Sequence, residues 1–526
     1  MIQTIQLRLL PSVAETPDAV KTAIKQKIGC RDGDITGYQI QKKSIDARGK
    51  QIFIQLALRV YVNEPFNPDG SAHIQYQNVR SSSKQVLIIG AGPAGLFAAL
   101  SLLEMGIKPI ILERGKDVRA RRRDLASMNK EGAVNPDSNY CFGEGGAGTY
   151  SDGKLYTRSN KRGEIHRILD TFIHFGADEK IRYESHPHIG TNKLPQIITC
   201  MREMVLECGG EVHFNARVVD IIEKDGKVKS IKTADGSIFD GDACILATGH
   251  SARDIFYLFV QKKWIIEAKP FALGVRIEHP QALIDQIQYH CVTRDALLPP
   301  AAYSLVHQVN QRGVFSFCMC PGGIIAPAST AEGELVVNGW SPSKRNNPFA
   351  NSGMVVQIES DEVLPFLKKN NQPIHEELHF LQFQQLVEQS AFKAGGGKLV
   401  APAQRVADFC ANQSSANLPE NSYLPGLQPC SLKEVLPDFV HQRLVRGIQA
   451  FGKKMKGYLT NEAVVVATES RTSSPVKIPR DFSLLHHPQI NNLYPCGEGA
   501  GYAGGIVSAA MDGDRVAKQI ALTFFG

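Results

Sequence analysis

Apolar and polar residues alternate through residues 2–10, IQTIQLRLL, as they do along a half-buried strand. The next stretch, TPDAVKTAIKQKIG, changes to helical spacing, with Thr16 as N-cap and Pro17 at the first helical position. Two more strand-like runs, DITGYQIQKKSID and QIFIQLALRVYVN, complete a βαββ unit. The polar NPDGSAHIQYQNVRSSS reads as a linker, so a small α+β domain is expected over residues 1–80.

From residue 84 the pattern changes. In KQVLIIGAGPAGLFAALSLLEMGIKPIILERG an apolar strand runs directly into Gly90-x-Gly92-x-x-Gly95, an apolar helix follows to Met105, and a second strand ends at Glu113. This is the dinucleotide-binding fingerprint in its structural context. Gly90 serves the tight turn, Gly92 the close approach of backbone to a pyrophosphate, and Gly95 the packing of helix on strand. The helix N-terminus faces the phosphates. Glu113, 18 residues after Gly95, is placed to accept from ribose hydroxyls. The same glycine spacing recurs in GEGGAG at 143–148, after a polar segment, and in GAGYAG at 499–504, after the short strand NLYPC and before the helix IVSAAMDGDRVAKQIALTFF. The first lacks a leading strand and the second lacks room for a second strand with its acid, so neither holds a dinucleotide by itself and both read as loops closing on a cofactor held by the first unit.

Residues 211–249 alternate around an Asp225-Gly226 turn and end in a buried strand at Ala247-Thr248-Gly249, a return to a parallel sheet. Between about 265 and 455, strands FALGVRIEH, GVFSFCMC and GELVVNGWS precede the helical IHEELHFLQFQQLVEQSAFKAG, which predicts an inserted antiparallel β plus α domain. The expected division is 1–80, 81–264 and 456–526 as two parts of one cofactor fold, and 265–455 as the insertion.

Composition narrows the class. With 526 residues, 43% of them hydrophobic, the chain can bury sizeable cores. No basic leader and no 18-residue apolar run is present, which leads to the expectation of a cytoplasmic protein without a membrane span. Eleven cysteines without a C-x-x-C spacing form neither a disulfide framework nor a zinc site, and no metal is expected. Cys318 and Cys320 in FSFCMCPGG would point to one face of a strand, as a redox pair would. Adjacent strand positions close a strained ring, however, and two buried thiols are the preferred reading. The net charge is +7, and its densest basic run, RARRR at 119–123, reads as a solvated helix face; a nucleic-acid partner would show a broader basic surface.

Taken together, Gly90–Gly95, Glu113-Arg114-Gly115, Ala247-Thr248-Gly249 and Gly497-Glu498-Gly499 resemble the two-dinucleotide-fold flavoproteins of the glutathione reductase superfamily. The longer motifs GEGGAGTYSDGKLYTR, PHIGTNKL, PFALGVRIEHPQ, FCMCPGG, ESRTSSPVKIPRD and GEGAGYAGGI resemble the bacterial FAD-dependent dehydrogenases of the NAD(FAD)-utilizing type. The resemblance implies an α/β chain: a discontinuous Rossmann-like FAD-binding domain of glutathione reductase type, carrying the insertion and the N-terminal βαββ domain. It implies FAD contacts from Gly90, Gly92, Pro93, Ala94, Gly95, Glu113 and Arg114 at the adenosine and pyrophosphate end, with Val218, Thr248 and Gly249 beside them. Gly148, Thr149 and Ser151 would form a middle clamp. Gly497 and Glu498 would touch the ribityl or pyrophosphate region, and Gly504, Gly505 and Ile506 the flavin O2 edge, where a helix N-terminus favours anionic reduced flavin. Gly513, two turns along that helix, is expected to lie away from the flavin.

Lys154, His188 and Arg471 are the candidate catalytic groups: Lys154 beside the pyrophosphate or flavin, His188 (with His186) as an acid-base residue, and Arg471 as an anion or flavin ligand beside the donors Thr472, Ser473 and Ser474. The implied activity is hydride transfer between FAD and an organic small-molecule substrate, with NAD(P)H as a transient partner. The alternatives are a flavin monooxygenase and a non-enzymatic FAD protein with an RNA or protein partner. With one complete fingerprint and no C-x-x-x-x-C, a disulfide reductase with a stable NAD(P) domain is disfavoured.

Overall fold

The computed structural model describes residues 1–31, 33–68, 74–157 and 163–525. Residues 69–73 of the expected linker lie outside them.

The strand Gln85–Ile89 is central to a five-stranded parallel sheet, ordered Leu493–Pro495, Ala243–Leu246, Gln85–Ile89, Lys108–Leu112, Glu211–His213. Parallel strands are covered on both faces, which explains their unbroken apolar runs. Alternate residues serve opposite cores: Val86 and Ile88 pack with the helices Pro93–Glu104, Leu194–Glu207 and Ile506–Ile520, while Leu87 and Ile89 face Phe142, Phe256 and Ile231. The second layer contains the helix Arg253–Gln261 and the antiparallel meander Val218–Lys224, Lys227–Thr233, Ile238–Asp240.

Glycine brings the helices close. An added Cβ on Gly95 would stand 2.0 Å from the Gly90 oxygen, and one on Gly90 itself, at φ +107°, would stand 2.5 Å from the Ala247 oxygen. Gly513, expected to lie away from the flavin, does not line the cleft and is a packing position. Its Cα faces the fingerprint helix so closely that a Cβ would lie 2.0 Å from the Ala94 oxygen. Asp514 reinforces that contact by accepting from Ser101 at 2.6 Å.

A seven-stranded mixed sheet forms the other large layer, ordered Val306–Val309, Arg312–Cys320, Phe349–Ile358, Phe271–Pro280, Val464–Glu469, Ala401–Arg405, Leu427–Pro429. All its pairings are antiparallel except the last. The strand Val464–Glu469, beyond the expected boundary at 455, thus joins this sheet and not the parallel one. Packed on the sheet are the helices His379–Ala394 and Asp438–Lys454. In the N-terminal unit the strands order as Ile2–Leu9, Phe53–Val62, Ile35–Asp46 around Val20 and Ile24 of the helix Pro17–Ile28. Thr16 occupies the N-cap position but its hydroxyl donates back to the Ser12 oxygen at 2.9 Å instead of capping, because a short helix, Pro11–Ala14, precedes it. Lys43 pairs with Tyr183 and Ser185 through backbone hydrogen bonds of 2.7 and 3.0 Å, so the unit touches the rest of the chain away from its linker.

The basic run at 119–123 divides. Arg119, Arg122 and Arg123 are exposed, but Arg121 is fully buried and donates to the Asn139, Glu144 and Tyr140 oxygens at 2.8, 2.8 and 2.9 Å. A guanidinium at that helix position shapes the loop that follows, where a solvated face was expected.

Gly513→Ala should lower stability by about 1–3 kcal/mol, the usual cost of overpacking a tight contact. Urea unfolding checks this; an unchanged midpoint would show that the two helices give way freely.

Candidate functional site

One long cleft runs between the C-terminal ends of the parallel strands and the mixed sheet. Gly90, Gly92, Pro93, Ala94, Glu113, Arg114, Gly148, Ser151, Lys154, Val218, Thr248, Gly249, Arg471, Gly497, Glu498, Gly504, Gly505 and Ile506 all line it. Gly95, Thr149 and His188 do not. Gly95 is covered by the Gly90 backbone. Thr149 is buried, donating to the Glu144 oxygen at 2.7 Å and accepting from Arg121. His188 sits one layer behind, with Nε2 3.2 Å from the Ser343 oxygen and its backbone bridged to Lys154. Burial and the neighbouring Arg345 lower His188 to about 4, so it is neutral at pH 7.

At one end, Glu113 is fixed by three backbone amides: Ala91 donates to Oε2 at 2.8 Å, and Gly115 and Gly143 to Oε1 at 2.9 Å. One lone pair on Oε2 remains for a ligand hydroxyl. Arg114 lies over the Phe142 ring and is held by Asp137 and Asp254 at 2.9 Å each.

Glycines facing the cleft differ from those in the core. A Cβ at Gly249 or Gly504 would meet no protein atom within 4 Å, and at Gly92 or Gly505 the nearest atom would be 3.9 Å away. Gly249, at φ +75°, needs glycine for its backbone, but packing does not require it at Gly92, Gly504 or Gly505; the bare backbone there leaves a cradle that a side chain would fill. Two helix N-termini, at Gly92 and Gly505, open into it without a side-chain cap, leaving first-turn amides free for an anionic or carbonyl-bearing ligand. Asp512 anchors the loop between them, accepting from Gly497 N at 2.8 Å and from Arg480 at 2.6 and 3.0 Å. This donor set fits an extended dinucleotide.

Arg471 borders the cleft but offers it no donor. Its five N–H groups go to Glu388 (twice), Ser251, Thr330 and Glu334. The expectation that it binds a free anion is therefore corrected: the carboxylates come from residues distant in sequence, and no local motif announced them. Lys154 donates instead toward Cys318 and Cys320 and pairs with Asp152 at 3.4 Å. Asp152, also clamped by Arg345 at 2.7 Å, is held at about 2 against its burial by Lys154 and Arg345. The glycine-rich clamp motif contained Asp152, whereas Cys141, His250 and Asn338 line the cleft without any pattern that marked them. Burial raises Glu498 to about 7, with Lys269 opposing.

Comparison with known proteins identifies the family. Residues 84–255 match the family described as pyridine nucleotide-disulphide oxidoreductase, residues 270–472 the FAD-dependent protein, C-terminal domain-like family, and residues 1–61 a domain of unknown function. An uncharacterized protein of Clostridium beijerinckii is 40% identical over 527 residues, covering 97% of each chain. This chain belongs to that family of FAD-dependent oxidoreductases. Its cofactor is FAD. The oxidoreductase is also 26% identical to protein FixC of Salmonella typhi over 38% of this chain and 44% of the relative. A flavoprotein/dehydrogenase structure from Cytophaga hutchinsonii aligns over 84% of this chain and 78% of its own at 12% identity, with a TM-score of 0.36. No helix of the described residues is long and apolar enough to cross a membrane.

Glu498 gives the oxidoreductase a pH signature. Its pKa is higher folded than the usual 4.5, so the folded state binds the proton more tightly. The stability this contributes is complete below about pH 4.5 and is lost as pH rises through 7. Glu498→Gln should therefore unfold at pH 8 roughly 2 kcal/mol less impaired, relative to its own pH 5 value, than the native chain. Urea midpoints at the two pH values test this; identical pH dependence would place Glu498 in water.

Proposed function

We propose that the cleft holds one extended FAD at both ends. The amides of Gly92 and Ala94 would take the pyrophosphate, with Pro93 between them, Glu113 and Arg114 the adenosine end with Val218, Thr248 and Gly249 alongside, and Gly497 and Glu498 the ribityl region. Gly504, Gly505 and Ile506 would meet the flavin O2 edge, with Gly148, Ser151 and Lys154 across from them. The observation behind this reading is the open space beside Gly92, Gly504 and Gly505, at the two helix N-termini that face the cleft. Bound there, FAD supplies two-electron hydride chemistry.

The chain's own residues set the conditions for that chemistry. The uncapped N-terminus of the helix Ile506–Ile520 stabilises negative charge at its end of the cleft. Lys154 adds a fixed positive charge, and the neutral form of Glu498 can donate a hydrogen bond near pH 7. Phe317 and Asn338 of the mixed-sheet region line the facing wall, and a small organic substrate would be admitted between that wall and the flavin. In this reading residues 81–264 and the chain after the strand Val464–Glu469 form a discontinuous FAD fold of glutathione reductase type. The residues between, that strand included, form the substrate-side insertion, and residues 1–80 a separate α+β unit. NAD(P)H is a transient electron donor. The free state of all eleven cysteines suits the reducing cytoplasm.

Anaerobic mixing with NADH, NADPH and a panel of small metabolites, followed at the flavin absorbance, tests the assignment. Bleaching by at least one two-electron donor without oxygen is the expected result. Oxygen consumption that requires an added substrate would replace the dehydrogenase reading by a monooxygenase. A flavin that no donor reduces would contradict both.

A further inference from the structure

The strand Arg312–Cys320 does not run flat to its end. Its pairing with Phe349–Ile358 slips between Phe317 and Cys320, and Cys318 takes a left-handed φ of +46°. A non-glycine residue in that region is a local cost that surrounding structure must hold in place. The distortion removes the objection drawn from a regular strand, because the two cysteines no longer occupy alternate positions of an undisturbed ladder. Cys318 lines the cleft and Cys320 lies fully buried behind it.

Charge converges on the two sulfurs. Lys154 Nζ stands 3.5 Å from Cys318 Sγ and 3.3 Å from Cys320 Sγ. Arg276, fully buried and paired with Glu469 at 2.8 Å, donates to the Cys318 oxygen at 2.7 Å and reaches to 3.9 Å from Cys320 Sγ. Structural thiols do not need an ammonium between them, since a neutral S–H is a small hydrophobe. A thiolate does need one. The hydrogen bond from Cys320, followed by Lys154 and Arg276, holds Cys318 well below the ordinary thiol value despite its burial, while Cys320 is pushed well above it. Cys318 is also near enough to Glu498 for its charge to help raise that carboxyl.

We propose that Cys318 and Cys320 are a dithiol–disulfide pair, poised by Lys154, that exchanges two electrons with the FAD of the same cleft. The proposal rests on the FAD-binding reading above. In the oxidising direction the two S–H bonds break and one S–S bond forms between Cys318 and Cys320. Two electrons and two protons pass to FAD, giving FADH2. The reverse step reopens the disulfide and regenerates FAD. Cys318 is the cleft-facing attacking sulfur and Cys320 its buried partner. The protein so equipped stores two electron pairs per chain.

The test is an anaerobic dithionite titration of the full-length protein with its FAD, followed at the flavin absorbance. Before and after, the thiols are alkylated with iodoacetamide and the peptide bearing both cysteines is weighed. The native protein, first oxidised with glutathione disulfide, should take up four electrons per FAD, and Cys318→Ser and Cys320→Ser two each. The peptide should carry no alkyl groups before reduction and two after it. Lys154→Met should slow alkylation of reduced Cys318 at pH 7 by tenfold or more, and Lys154→Arg should largely restore it. A yellow native protein that takes up two electrons, with both thiols open to alkylation after glutathione disulfide, overturns the dithiol pair and leaves the FAD reading intact. A protein that neither retains nor takes up FAD overturns both. The native titration needs no variant, so it decides the matter even where a substitution fails to fold.

Discussion

The close approach of the helices Pro93–Glu104 and Ile506–Ile520 is the constraint on which the site depends. Gly513 lets the second helix lie against the Ala94 carbonyl, where any side chain would collide, and the Ser101–Asp514 hydrogen bond fixes the contact. Because the helices cross there, their N-terminal ends emerge side by side at the rim of the parallel sheet. Two sets of unused amides, more than 400 residues apart in sequence, thereby face one cleft. Glycines on the core side serve packing: Gly90, Gly95 and Gly499 each lie under a backbone carbonyl. On the cleft side, Gly92, Gly504 and Gly505 leave open the space a side chain would take.

Around this cradle the chain buries charge in closed groups. Arg471 and Arg253 share Glu388 and Glu334, Arg276 pairs with Glu469, and Arg480 with Asp512. Breaking such a pair leaves an uncompensated buried charge, which is far more costly than the pair is stabilising. Their effect is positional: each ties a loop or strand end of the cleft to a partner distant in sequence. Lys154 differs, because two thiols stand among its neighbours in place of a second carboxylate.

Much of the parallel sheet and of the cleft beside it was legible because the residues that build them are local. Gly90, Gly92, Gly95 and Glu113 sit at fixed offsets on consecutive elements, so their spacing alone implies a strand, a turn, a helix and a second strand. The late loop was readable for the same reason, as a glycine cluster at a helix start. What could not be read depends on contacts between remote segments. Arg121 looked like one of several solvated arginines, since its acceptors Asn139, Tyr140 and Glu144 lie on a loop of no regular pattern. Arg471 looked like a free anion ligand because Glu334 and Glu388 give no local sign that they surround it. The destination of Val464–Glu469 was hidden, since an apolar strand suits either sheet, and the kink at Cys318 is invisible to a period-2 reading.

The account turns on whether the open glycines are kept bare for FAD, and the FAD content of Gly504→Leu beside the native protein addresses that most directly. The added side chain has room in the protein itself, so urea stability should change by no more than about 0.5 kcal/mol. Heat release of the chromophore and its mass should give one FAD per native chain and next to none from the folded variant. Equal FAD in both proteins, or a colourless native chain, would contradict the account.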